Sequence, residues 1–183
     1  MLDSIERFMA DFPNIALAIK IVAVALVAWL ALLITKRILL KLIHRLSSKT
    51  TTQLDDILIK HRVFASAAQI VPAIIVFYAA DLFSGYEDVI RKGAMVYMML
   101  FLIIIIDKLL SSGLDIYQTY PISRRRPIKG YVQLLKIFLY IIGGIFIFAY
   151  ILDKSPWGVL SGIGALTAVL MLVFKDTILS VVA

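Results

Sequence analysis

Gly158–Ala183 reads GVLSGIGALTAVLMLVFKDTILSVVA, and its two halves differ in kind. The first is dense in small residues: Gly158, Ser161, Gly162, Gly164, Ala165, Thr167 and Ala168. The second turns to large apolar side chains and then places Lys175-Asp176 inside otherwise membrane-like sequence. Small residues let helix backbones approach closely in lipid, where packing rather than water exclusion drives association. Ionisable residues within such a segment face a bundle interior or an aqueous path. The stretch therefore predicts a helix that packs against copies of itself around a conduit.

Working outward, 62 % of the 183 residues are hydrophobic and the mean hydropathy is +0.97. A soluble domain is closer to half apolar. A spanning helix needs about 20 predominantly apolar residues, and five segments qualify: 15–38, 63–83, 89–110, 131–152 and 158–183. The third has a short uninterrupted core, Ala94–Ile106, and gains length only through its flanks. The expected class is an all-α membrane protein with five spans, residues 15–152 forming four peripheral helices. Lys20, Asp81 and Lys136 fall near their helix ends, where long side chains reach the interface. Cys is absent, which excludes disulfides and thiolate metal sites.

Orientation follows from Lys and Arg in the connections. Segment 1–14 carries Asp3, Glu6 and Asp11 against Arg7, unlike the basic start of a cleavable signal. Lys36, Arg37, Lys41, Arg45, Lys49, Lys60 and Arg62 lie between the first two spans. Lys108, Arg124, Arg125, Arg126 and Lys129 lie between the third and fourth, whereas the opposite side holds Arg91, Lys92 and Lys154. The alternation puts the N-terminus outside, with 1–14 periplasmic, and the C-terminus inside. The net charge of +7 is then a membrane collar rather than a nucleic-acid surface.

The stretch Lys36–Leu46 keeps a helical rhythm with an apolar and a basic stripe, suited to anionic head groups at the interface. Arg37, Lys41, Arg45 and Arg124, Arg125 and Arg126 are the expected head-group contacts. A plain positive-inside anchor is the simpler reading of the same charges. Thr52 with Asp55 resembles a capping box. Pro72 predicts a kink in the second span. Ser111-Ser112-Gly113 and Tyr120–Pro127 read as one irregular connection, and Gly143-Gly144 allows a close crossing. Asp153–Trp157 leaves room only for a tight hairpin, so the last two helices are expected adjacent and antiparallel.

Chemistry-bearing patterns are sparse. His44 and His61 lie in the basic connection without Cys or a clustered carboxylate, so no metal site is expected. Asp55-Asp56 and Glu87-Asp88 are adjacent pairs that point to different helix faces. Gly162-x-Gly164 follows no strand, as a nucleotide loop would require. Neither an enzyme nor a cofactor is expected.

In steps of three and four, Ser161, Ala165, Ala168, Leu172 and Lys175 share one face of the last helix. This stripe starts small, narrows at Leu172 and ends in charge, as a pore lining would. Gly162, Gly164, Thr167 and Met171 lie beside it as helix-packing positions. The competing reading is a helix inside a monomeric bundle, with Lys175 reaching the inner surface.

From Gly162 to Ala183 the residues resemble the pore helix of the small-conductance mechanosensitive channel (MscS-like) family. Val169-Leu-Met-Leu-Val-Phe-Lys-Asp176, with the upstream Pro127-Ile-Lys-Gly130, resembles its miniconductance, YbdG-type branch. The resemblance covers about 127–183. It implies a homoheptamer whose last helix lines an ion pathway and breaks near Lys175-Asp176. It also implies a narrow ring at Leu172. Ala168 departs from the family's second leucine, against a two-ring gate. A cytoplasmic domain is expected after residue 183, which makes the chain read as a membrane-part fragment. The implied activity is tension-gated release of ions and small solutes on hypoosmotic shock, in a bacterial inner membrane and in contact with its lipids. A secondary transporter would carry an internal repeat and a polar midplane site, and neither is visible. A membrane scaffold subunit is the other alternative.

Overall fold

The computed structural model describes residues 13–47, 57, 59–124 and 127–182. Thr52, Asp55, Arg125, Arg126 and segment 1–12 lie outside them. Helix and short 3-10 turns account for the regular structure, and no strand occurs among the described residues. Five helices are long and apolar enough to cross a membrane. The chain divides into two compact units, Met1–Leu139 and Tyr140–Ala183.

In the first unit, α1 (Pro13–Ser47) runs for 35 residues without interruption. That is roughly 52 Å at 1.5 Å per residue, so the basic stretch after Thr35 continues the same rod. The second span is split into α2 (Val63–Ala68) and α3 (Ile70–Ala79), with a 3-10 turn at Ala80–Leu82. Pro72 explains the split. It has no N–H for the Ala68 carbonyl and its ring crowds that carbonyl. The chain yields at Gln69, whose N–H turns to Ser66 O at 3.1 Å. Tyr97 of α4 (Glu87–Thr119) donates to Gln69 Oε1 at the same level, 3.3 Å away.

The third span is longer than 89–110. Ser111 and Ser112 do not end it, because their hydroxyls fold back on Asp107 O (2.9 Å) and Lys108 O (2.8 Å). The helix stops only where Pro121 pushes Tyr120 into an extended conformation (φ −85°, ψ 139°). Upstream, the turn into α4 needs Gly85 at φ +88°. Nothing lies within 4 Å of a Cβ built there, so the demand is purely conformational. Gly85→Ala is expected to destabilise the protein by about 1 kcal/mol, read as a lower melting temperature in detergent with unchanged helix content.

α1 packs on α2 and α3, which pack in turn on α4. The buried positions are mostly small: Ala16, Ala28, Ala68, Ala73, Ala80 and Ala94, with Ser66 and Ser112. Large side chains such as Ile19, Val22, Trp29 and Leu30 point outward. This inversion suits a lipid solvent, where close backbone approach rather than apolar burial selects the interface.

The second unit holds the end of α5 (Lys129–Ile151) and α6 (Pro156–Val182). α5 closes in a Schellman motif: Lys154 N–H reaches Ala149 O (2.8 Å), Asp153 N–H reaches Tyr150 O (3.3 Å), and Asp153 is left-handed at φ 53°. Ser155 O accepts from Val159 N–H, which leaves Pro156 at the first helical position where its missing donor costs nothing. Phe146 and Trp157 meet edge to face across this turn, centroids 6.4 Å apart.

Candidate functional site: a bare helix and a polar layer

α6 carries the expected pore residues, and each of them is exposed. Leu172 is 71 % exposed and Met171 75 %. Ser161, Gly162, Gly164, Ala165, Thr167, Ala168 and Lys175 are exposed too. A Cβ built on Gly162 or Gly164 meets nothing within 4 Å. Thr167 satisfies its hydroxyl on its own helix, at Ile163 O (2.8 Å). No residue of the Pro156–Lys175 window is buried. From Ser161 to Lys175 every position is exposed, a surface that lipid, or copies of the chain, would have to cover.

The break implied at Lys175-Asp176 is absent from this chain. α6 passes through both residues to Val182. Phe174–Ser180 contains neither Gly nor Pro, so nothing local interrupts the hydrogen-bond ladder.

The second group of residues was not singled out by sequence. α4 and its neighbours carry a polar layer near one end of the first unit. Lys108 Nζ donates to Ser66 Oγ of α2 at 2.5 Å. Lys136 Nζ of α5 donates to Ser111 Oγ at 2.6 Å and lies 2.8 Å from Asp107 Oδ1. The Asp107 and Lys136 side chains are 22 % and 23 % exposed. Lys136 thus turns inward to a partner instead of reaching for the interface. Asp107 follows Glu87 by 20 positions, or about 30 Å along the helix, the thickness of the hydrocarbon core. The layer therefore lies about one hydrocarbon thickness along α4 from its acidic start. The signal available in sequence was Asp107-Lys108 one turn before Ser111-Ser112, but the partner on α5 is not adjacent in the chain.

Beyond that layer, His61 Nε2 lies 2.8 Å from Asp115 Oδ2 and Lys60 Nζ 3.6 Å from it. His61 does have a carboxylate, supplied by α4 54 residues away. Arg62, left-handed at φ 54°, makes the sharp entry into α2 that sets His61 there. No group of three metal-ligating side chains occurs among the described residues. At the opposite end of the unit, Lys20 donates to Leu82 O (3.0 Å), Arg91 pairs with Asp81, and the Arg91 guanidinium stands 5.6 Å over the Phe77 ring. Of the expected head-group contacts, Arg37 and Lys41 are exposed on α1. Arg45 lies in α1 and Arg124 closes a 3-10 turn.

Between α1, α3 and α4 runs an apolar groove of about 510 Å³, lined by residues including Leu17, Ile21, Val76, Phe83, Val89 and Ile90. It lies toward the Lys20–Asp81 end, away from the basic stretch that follows Thr35.

Five apolar helices with a small-residue core define a multi-pass, all-α membrane protein. No protein-family model matches the sequence, and no solved structure matches the fold.

Proposed function

We propose that the chain is the transmembrane part of a tension-gated channel of the small-conductance mechanosensitive type, in a bacterial inner membrane. One observation carries the reading: α6 is long enough to span, is exposed at every position from Ser161 to Lys175, and carries Ser161, Ala165 and Ala168 in register above Leu172. The resemblance of 127–183 to that family's pore helix adds to it. Copies of α6 arranged in a ring, seven by that resemblance, would cover the small-residue face and leave the stripe toward an axis. α1–α4 meet lipid through their large side chains. A state with larger in-plane area gains free energy as tension rises, so the population moves toward it. Opening releases ions and small solutes on hypoosmotic shock. Arg37 and Lys41 lie on the inner side, at anionic head groups, and acyl chains fill the groove between α1, α3 and α4.

The test is patch recording of the purified protein in liposomes under stepped suction, with native mass measured on the same preparation. Tension-dependent unitary currents and a cyclic oligomer are expected. Silent patches with a monomeric mass would move the reading to a scaffold subunit.

A further inference from the structure

We propose that Asp107, Ser111 and Lys136 form an interhelical latch through which α4 moves α5, an inference that rests on the tension-gated reading. α5 is one continuous helix, yet Lys129–Leu139 belongs to the first compact unit and Tyr140–Ile151 to the second. This rod is the chain's own connection from the sensor helices to the pore hairpin. Along Lys129–Leu139 most side chains are exposed, and Lys136 is one of three half-covered positions, with Val132 and Leu139. The ammonium sends its aligned hydrogen bond to Ser111 Oγ at 2.6 Å. It stands 2.8 Å from Asp107 Oδ1 without the alignment of a good hydrogen bond, and that oxygen has no other donor. Both side chains are more than three-quarters covered.

Ionisable residues at such depth are costly and pair with one another. Removing one partner strands the other charge, whereas removing both is close to neutral for the fold. Pulling the pair apart would strand both charges, so a displacement of α4 is expected to carry α5 with it. Lys108, one position along α4, holds Ser66 of α2 instead. α4 is therefore gripped on two sides at one level.

The experiment compares wild type, the neutral pair Asp107→Asn with Lys136→Met, and the exchanged pair Asp107→Lys with Lys136→Asp in liposome patches. The neutral pair is expected to open at higher tension than wild type, because α4 no longer pulls α5. The exchanged pair is expected to return the opening curve toward wild type. A neutral pair that opens at wild-type tension, or an exchanged pair displaced as far as the neutral one, overturns the latch. A double-mutant cycle on melting temperature in detergent covers the case in which wild type itself is silent and the channel reading fails. Non-additive losses support the contact and additive ones overturn it. Recovery of the neutral pair where a single variant cannot be recovered counts as the non-additive outcome.

Discussion

Leu172→Ser is expected to open at lower tension than wild type, to leak at rest and to slow the growth of cells expressing it. Leu172 is the first large side chain on the stripe below Ser161, Ala165 and Ala168. A ring of leucines blocks ions because a narrow apolar passage expels water and makes dehydration of the ion too costly. A hydroxyl at that level holds water and removes the advantage of the closed state. Val173 points about 100° away on a helix with 3.6 residues per turn, so Val173→Ser is the control and should gate nearly as wild type does. Both side chains are open within the chain, at 71 % and 63 % exposure, so neither substitution disturbs packing inside the subunit. Patch recordings that show leak from Val173→Ser and normal gating from Leu172→Ser would place the pore on another face of α6.

Ala168→Trp and Gly164→Leu should break the assembly. Gly164 has open space around a built Cβ, and Ala168 is exposed. A larger side chain there therefore costs the subunit nothing, and any loss must come from between subunits. Small residues at helix crossings in lipid permit backbone contact, so a leucine at Gly164 forces neighbouring helices apart, and an indole at Ala168, on the stripe beside that crossing, is too large for a closely packed ring. Native mass should fall from the ring to smaller species, with helix content retained by circular dichroism. Unchanged mass for both variants would remove these positions from the interface.

Pro72 shows how far local chemistry reaches. Its missing donor marks a break, and the split falls at Gln69, one turn back. Ser111-Ser112-Gly113 shows the reverse: residues that favour turns instead continue α4, because each hydroxyl finds the carbonyl four positions earlier. At Lys136 the expectation of an outward-reaching side chain fails because α4 offers a carboxylate and a hydroxyl closer than the interface.

The sequence by itself determined the all-α class, five apolar segments, the tight hairpin before α6 and the small-residue stripe along it. These depend on length, hydropathy and helical period, which are properties of neighbouring residues. Tertiary structure alone decided which charges meet. Asp107 joins Lys136, Asp81 joins Arg91, and Asp115 joins His61 across separations of 29, 10 and 54 positions. A carboxylate's partner depends on which helices lie side by side, and that is settled by the alanine-rich crossings of α1, α2, α3 and α4 rather than by any spacing along the chain.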